Sequence, residues 1–278
     1  GHIVSVTGDG VNDAPALKRS DIGVAMGSGT DVSKEASEMV SLNDSYSSII
    51  WAIKEGRVVY DNIKKVVRLV FTINIAEFIS VALGMVIGVS PILPIQILLV
   101  DLGSEVAPSI ALAGDIEEDD VMARPPRSKN DGLFSASVIR YVVRNGLVAG
   151  ILASSAFIVY ATNKGWTFGS KIIDPELYRH AGAVSYCALT LCMIASAFSL
   201  RSEKPLNFKI IKESKRIFVA ILISLLFMLL LFYIPILQKF SGLEPLESSE
   251  WLLPIAFSFV YFVFLEGTKI VKNLFKKK

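Results

Sequence analysis

Apolar residues fall along this chain in three successive rhythms. The first is short runs separated by turns. Ile3-Val4-Ser5-Val6 predicts a strand, Asp21 to Met26 closed by Gly27 predicts a second, and Val40-Ser41-Leu42 a third. Between them, Ala14 to Lys18 begins a helix with Pro15 in its first turn, where a missing N–H costs nothing. Ser28, Thr30 or Asp31 is placed to cap a helix through Val32 to Glu38. The second rhythm is helical: Ile49, Ile50, Ile53, Val58, Val59 and Ile63 recur among charges. The third begins at Leu69, beyond Lys64, Lys65 and Arg68, where six long apolar stretches follow. They cover about 69–89, 92–113, 142–161, 181–200, 217–237 and 251–268. Each suits the roughly 30 Å of a bilayer's hydrocarbon. The expected layout is an α/β piece over 1–45, a stalk helix over 46–68 and a six-span membrane domain over 69–278.

Composition sharpens this. With 52% hydrophobic residues and a mean hydropathy of +0.53, a soluble globular chain is excluded. The net charge of +2 gives no reason to expect a nucleic-acid partner, whereas membrane lipid is expected. Lys and Arg concentrate in 114–141, 201–216 and 269–278 and are sparse in 90–91, 162–180 and 238–250. By the positive-inside rule the first group faces the cytoplasm, so both ends of the chain are expected there. Trp166, Trp251, Tyr160 and Tyr178 fall near the expected interfaces, while Trp51 is expected to pack on the stalk. Cys187 and Cys192 are five apart within one apolar stretch, which suits neither a disulfide nor a metal pair. The chain opens without Met inside a strand and turn, so it reads as the carboxyl-terminal part of a longer protein.

Two clusters carry candidate chemistry. Residues 7–15 read Thr-Gly-Asp-Gly-Val-Asn-Asp-Ala-Pro, which packs Asp9, Asn12 and Asp13 into one glycine-rich turn after a strand. Open α/β sheets place ligand sites at the carboxyl ends of strands. Oxygen ligands of this kind suit Mg²⁺ held beside a substrate phosphate. The alternative is an ordinary Asp/Asn/Gly turn.

The second cluster lies inside the expected membrane spans. The first span holds Asn74 and Glu77, and the second holds Asp101, Ser104 and Glu105. A charge at that depth costs roughly 3 kcal/mol or more, so such groups usually serve a site or pathway. Asn74 and Glu77 share a helix face by spacing, as do Asp101 and Glu105. A rise of about 1.5 Å per residue puts Glu77 and Glu105 each roughly 12 Å from the cytoplasmic edge, with Asp101 about 6 Å further. Pro108 has no N–H, so the Ser104 carbonyl is expected to be free as a cation ligand, and Gly103 to loosen the turn. The alternative is protonated carboxyls that serve packing alone. Neither span holds His or Cys, which disfavours copper or zinc as cargo.

The string from Thr7 to Met26 resembles the hinge motif of P-type cation-transporting ATPases. The likeness continues at Glu55-Gly56-Arg57, Tyr60-Asp61-Asn62-Ile63-Lys64-Lys65 and Arg124-Pro125-Pro126-Arg127. Thr72 to Glu77 is similar to the family's fifth membrane helix, and Asp101 to Pro108 to its sixth. The resemblance implies a mainly α-helical membrane protein, with six transmembrane helices preceded by the end of a haloacid dehalogenase-like (HAD-like) α/β phosphorylation domain. It implies Asp9 and Asp13 beside magnesium, Asn12 holding the phosphoryl group, and ATP as substrate. It implies Asn74, Glu77, Asp101, Ser104 and Glu105 around the transported cation, Ca²⁺ or Na⁺/K⁺. Glu105 stands where the family usually has Asp, Ile73 replaces a Ser of potassium-transporting members, and Met193 sits near a ligand Glu of the muscle-type calcium pump.

The family's DKTGT aspartate, actuator loop and nucleotide domain do not occur in these residues. The expectation is the carboxyl-terminal portion of an ATP-driven cation pump, inactive without its amino-terminal half. Two alternatives are a non-catalytic pump-derived protein or passive cation pathway, and a membrane-anchored phosphatase of the HAD type.

Overall fold

The computed structural model describes residues 3–118, 120–127, 132–167, 170 and 174–276. They fall into two compact units. One comprises Gly1–Asp61 with Ile116–Ser135, the other Asn62–Asp115 with Ala136–Lys278.

The first unit holds a three-stranded parallel sheet in the order β1 (Ser5–Gly8), β2 (Ile22–Met26), β3 (Met39–Ser41). Helix α1 (Ala14–Arg19) crosses from β1 to β2 and buries Leu17 completely. Helix α2 (Asp31–Glu35) crosses from β2 to β3. Of the three candidate caps, Thr30 is the one used: its Oγ1 accepts from the Ser33 N–H. β1 pairs Gly8 with Ala25 of β2, and that register puts the Asp9 turn at the carboxyl end of the sheet.

Helix α3 (Tyr46–Ile87) is 42 residues long, and its residues belong to both units. In the first unit, Lys54 pairs with Glu117 at 2.7 Å and Arg124 with Asp61 at 2.8 Å. Arg57 donates to the carbonyls of Val121 and Arg124 at 2.9 and 2.8 Å. The loop around Glu117 and Val121–Arg124 is thereby strapped to the first half of α3. Trp51 does not pack on this stalk as the sequence suggested. It is 62% exposed.

Among the described residues, six helices are long and apolar enough to cross a membrane. They are the second half of α3, the pair α4 (Pro94–Leu99) and α5 (Val106–Ala113), then α6 (Ala136–Asn163) and α7 (Pro175–Leu200). The fifth is α9 (Lys215–Tyr233), after the short α8 (Phe208–Glu213), and the sixth is α11 (Leu252–Lys276), after the short α10 (Pro235–Ser241). The fifth span ends earlier than the 217–237 read from hydropathy. Ile234 is extended (φ −96°, ψ 117°) because it precedes Pro235, which starts α10.

Helix α7 packs against both α6 and α11 and is the most enclosed of the six. Cys187 and Cys192 are buried, unpaired thiols on it. Helix α6 meets α3 through Gly146 and Gly150. A Cβ at Gly146 would lie 2.6 Å from Ile75 Cβ, and one at Gly150 would lie 2.5 Å from the Ala76 carbonyl. This is the small-residue spacing that lets membrane helices approach backbone to backbone.

Candidate functional site

The turn after β1 is held by its own residues. Asp13 Oδ2 accepts from the N–H groups of Asp9 (3.1 Å) and Gly10 (3.0 Å). The Asp9 carbonyl accepts from Thr30 N at 2.8 Å and Ser33 Oγ at 3.2 Å, which ties the turn to α2. Two glycines are sterically required. A Cβ at Gly29 would sit 2.8 Å from the Asp9 carbonyl, and one at Gly8 would overlap the Asp13 side chain. Asp13 therefore spends one oxygen on shaping the turn and keeps the other. Asp9 and Asn12 are exposed, and no hydrogen bond engages their side chains among the described residues. A free carboxylate, a half-free carboxylate and a free amide make an all-oxygen donor set, which fits Mg²⁺.

Within the membrane domain the buried face of α3 runs through Leu69, Thr72, Ile73, Ala76, Glu77 and Ser80. Glu77 is 5% exposed and Glu105 4% exposed. The charges of Asp101 and Glu105 both act on Glu77, so the three carboxylates are near neighbours. Glu77 Oε1 and Glu105 Oε2 are buried with no hydrogen-bond partner. Burying such atoms unsatisfied costs about 1–3 kcal/mol each, more if charged. Among the described residues, no three His, Cys, Asp or Glu side chains converge tightly enough to hold a metal ion. The carboxylates line one region without closing a cage.

Two expectations for this region change. Asn74 is exposed on α3, although it is only three residues from Glu77. The packed stripe of α3 follows 69, 72, 73, 76, 77 and 80, and Asn74 lies just off its edge. The Ser104 carbonyl is not free either. It accepts from Ser224 Oγ of α9 at 2.6 Å, because Pro108 leaves that acceptor for a neighbouring helix to fill. The backbone from Val100 to Ser104 forms a π-turn, with Glu105 N donating to the Val100 carbonyl at 2.9 Å. Such bulges are frequent at functional sites. Gly103 serves close packing here, since a Cβ would overlap the Phe227 ring of α9.

Sequence reasoning passed over several polar atoms in this domain. Thr72 Oγ1, Ser104 Oγ, Tyr186 OH and Thr190 Oγ1 are all buried. The Tyr186 hydroxyl lies beside those of Ser104 and Thr190. Hydroxyls are common in membrane helices, so their presence in the sequence carries little signal by itself.

A parallel α/β segment with a carboxylate turn after its first strand, together with six membrane-capable helices among the described residues that bury carboxylates, defines a multi-pass membrane protein with a HAD-like amino-terminal segment. Residues 3–53 match the haloacid dehalogenase-like hydrolase profile. Residues 89–271 match the profile described as cation transporting ATPase, C-terminus, and the chain belongs to that family. It is 37% identical over 276 residues to a calcium-transporting ATPase of Bacillus subtilis (strain 168), covering 98% of this chain and 30% of that protein. It is 38% identical over 282 residues to calcium-transporting ATPase 1 of Bacillus cereus, covering 98% of this chain and 32% of that protein. A human potassium-transporting ATPase alpha chain 2 is 46% identical over 164 residues, covering 58% of this chain and 16% of that protein. The chain thus spans about a third of the length of these calcium-transporting relatives.

Proposed function

We propose that this chain is the carboxyl-terminal portion of an ATP-driven cation pump, in which phosphoryl transfer in the α/β segment drives a cation past carboxylates in the membrane. The observation that carries the reading is the pair Glu77 and Glu105. Each is at most 5% exposed and each has an unpartnered oxygen. Ion cargo would supply the missing partner. Asp9 and the free oxygen of Asp13 would hold Mg²⁺, with Asn12 beside the phosphoryl group. A bound Mg²⁺ would neutralise charge on the transferring phosphoryl group, and positioning supplies most of the remaining catalysis in such reactions. ATP would bind through parts of the protein beyond these residues. Both ends of the chain would face the cytoplasm, as the Lys and Arg distribution requires.

Ca²⁺ is the favoured cargo. The oxygen-only side chains of Glu77, Asp101 and Glu105 suit a hard cation, and the calcium-transporting relatives match nearly the whole chain. The Asp101-Leu102-Gly103-Ser104-Glu105 string favours a second reading, a monovalent-cation pump, and the human relative is named for potassium transport. Titrating the ATPase activity of the full-length protein with Ca²⁺, Na⁺ and K⁺ decides between them. Micromolar activation by Ca²⁺ alone is expected. Activation only by Na⁺ or K⁺ selects the second reading, and activation only by Cu⁺ or Zn²⁺ refutes the oxygen site.

A further inference from the structure

An open depression of about 440 Å³ lies where α6 ends and α11 begins, lined by none of the residues around Glu77 and Glu105. Its polar wall is Asn163, Lys164, Ser249 and Glu250, and its apolar wall is Leu252, Leu253 and Ala256 in the first turns of α11. The volume is that of a small-ligand site. Both walls belong to one membrane face, because Tyr160 of α6 donates to Glu250 at 2.5 Å. Trp251 donates to Tyr233 at 3.2 Å at the same level. Amphipathic aromatics gathered at helix ends mark the interface between headgroups and hydrocarbon. The cavity is therefore polar toward water and apolar toward the bilayer.

The charges in it are arranged to receive a ligand. Lys164 has no carboxylate partner among the described residues; its ammonium lies 5.8 Å from the centroid of the Tyr160 ring. The Asn163 amide and Ser249 hydroxyl are exposed at the rim and make no hydrogen bond among the described residues. Glu250 is different. Its Oε1 is held by Tyr160, and its Oε2 accepts from Glu247 N at 2.8 Å and lies 3.7 Å from His180 Nδ1. Glu250 is thus a carboxyl group fixed in place in the wall. One free cation, two neutral hydrogen-bonding groups and one fixed carboxylate complement a head that carries both signs.

We propose that this cavity binds one zwitterionic glycerophospholipid, with its phosphodiester on Lys164, its primary amine toward Glu250 and an acyl chain along Leu252, Leu253 and Ala256. An anionic phosphoglycerol head satisfies Lys164 but meets Glu250 with nothing to offset it.

Native mass spectrometry of the full-length protein, delipidated and titrated with lipid, tests this. The probes are palmitoyl-oleoyl phosphatidylethanolamine, the matching phosphatidylglycerol, and inorganic phosphate. One phosphatidylethanolamine is expected per protein. Lys164→Gln should weaken it by about tenfold, the scale of one lost charged contact, Ala256→Trp should weaken it by filling the apolar wall, and Lys164→Arg should keep it. Unchanged thermal midpoints show that the variants are folded, and the Lys164→Arg comparison stands even where Ala256→Trp is not. Equal retention by Lys164→Gln and wild type overturns the proposal, as does tighter binding of phosphatidylglycerol. Displacement by millimolar inorganic phosphate makes the cavity a free-phosphate site and overturns it too. So does a co-purifying membrane peptide that excludes the lipid.

Discussion

Lys65 of α3 and Asp115, just beyond the end of α5, form an ion pair at 2.8 Å in which both side chains are less than a tenth exposed. Arg201, at the end of α7, joins the same carboxylate at 3.0 Å, and Lys65 also donates to the Arg201 carbonyl at 3.1 Å. Asn62 completes the cluster by donating to the Asp115 carbonyl at 2.8 Å. One carboxylate thus neutralises two buried cations from two different helices. Asp115→Asn removes the carboxylate charge from both pairs, and losing one partner of a buried pair costs about 3–5 kcal/mol. A clear fall in the detergent-solubilised melting temperature is expected. An unchanged midpoint would show that water reaches these cations.

Glu203, in the loop after α7, gives a pH prediction. Burial alone would raise its carboxyl, but Arg68 and Lys272 outweigh that and hold it at about 2 against its usual 4.5. The folded state therefore binds this proton less readily than the unfolded state. Its contribution is complete above pH of about 5 and is lost as pH falls from there toward 2. Because Glu203 is 44% exposed, salt should weaken the effect. Melting temperatures from pH 6 to pH 3 should fall less steeply in Glu203→Gln than in wild type. Parallel slopes would remove Glu203 from the acid response.

The contact between α6 and α3 predicts a steric effect. At Gly150 a new Cβ would meet the Ala76 carbonyl at 2.5 Å and Ile79 Cβ at 2.8 Å, and the backbone atom cannot swing aside. Gly150→Val should destabilise by about 1–3 kcal/mol or more, the usual range for overpacking. Gly182→Ala, where nothing lies within 4 Å, should change the midpoint little. Equal effects of the two substitutions would contradict the close approach.

The two candidate sites should separate by mutation in the full-length protein. Asp9→Asn is expected to lower phosphoenzyme formation at least tenfold and leave cation binding intact, since Asp9 and Glu77 belong to different units. Glu77→Gln is expected to abolish cation-dependent phosphorylation from ATP. Equilibrium binding of radiolabelled Ca²⁺ alongside acid-stable phosphoenzyme levels checks both. Loss of Ca²⁺ binding in Asp9→Asn would break the assignment.

The proposed orientation is open to direct labelling. Ser248 and Lys204 are both exposed, on loops at opposite faces of the membrane by the proposed topology. In intact cells or sealed vesicles of known orientation, Ser248→Cys should react with an impermeant maleimide from the non-cytoplasmic side and Lys204→Cys should not. Cys187 and Cys192 are buried and should give little background. The reverse pattern inverts the topology.

The sequence by itself determined the six spans, the α/β piece before them and the identity of the buried carboxylates. All of these rest on local regularities: apolar run length, helical period, turn composition and the cost of charge in hydrocarbon. It also located the turn of Asp9, Asn12 and Asp13, because a glycine-rich turn is built from neighbours in the chain. It could not tell that Asn74 falls outside the packed face that buries Glu77, since both lie within one turn of the same helix. That choice depends on which face of α3 the neighbouring helices cover. Only tertiary structure decided that Ser224 occupies the Ser104 carbonyl from 120 residues away, and that Asp115 serves Lys65 and Arg201 together. Proline and charge signals show that a partner is needed. Which residue answers depends on how separate helices pack, and no local pattern in the chain carries that information.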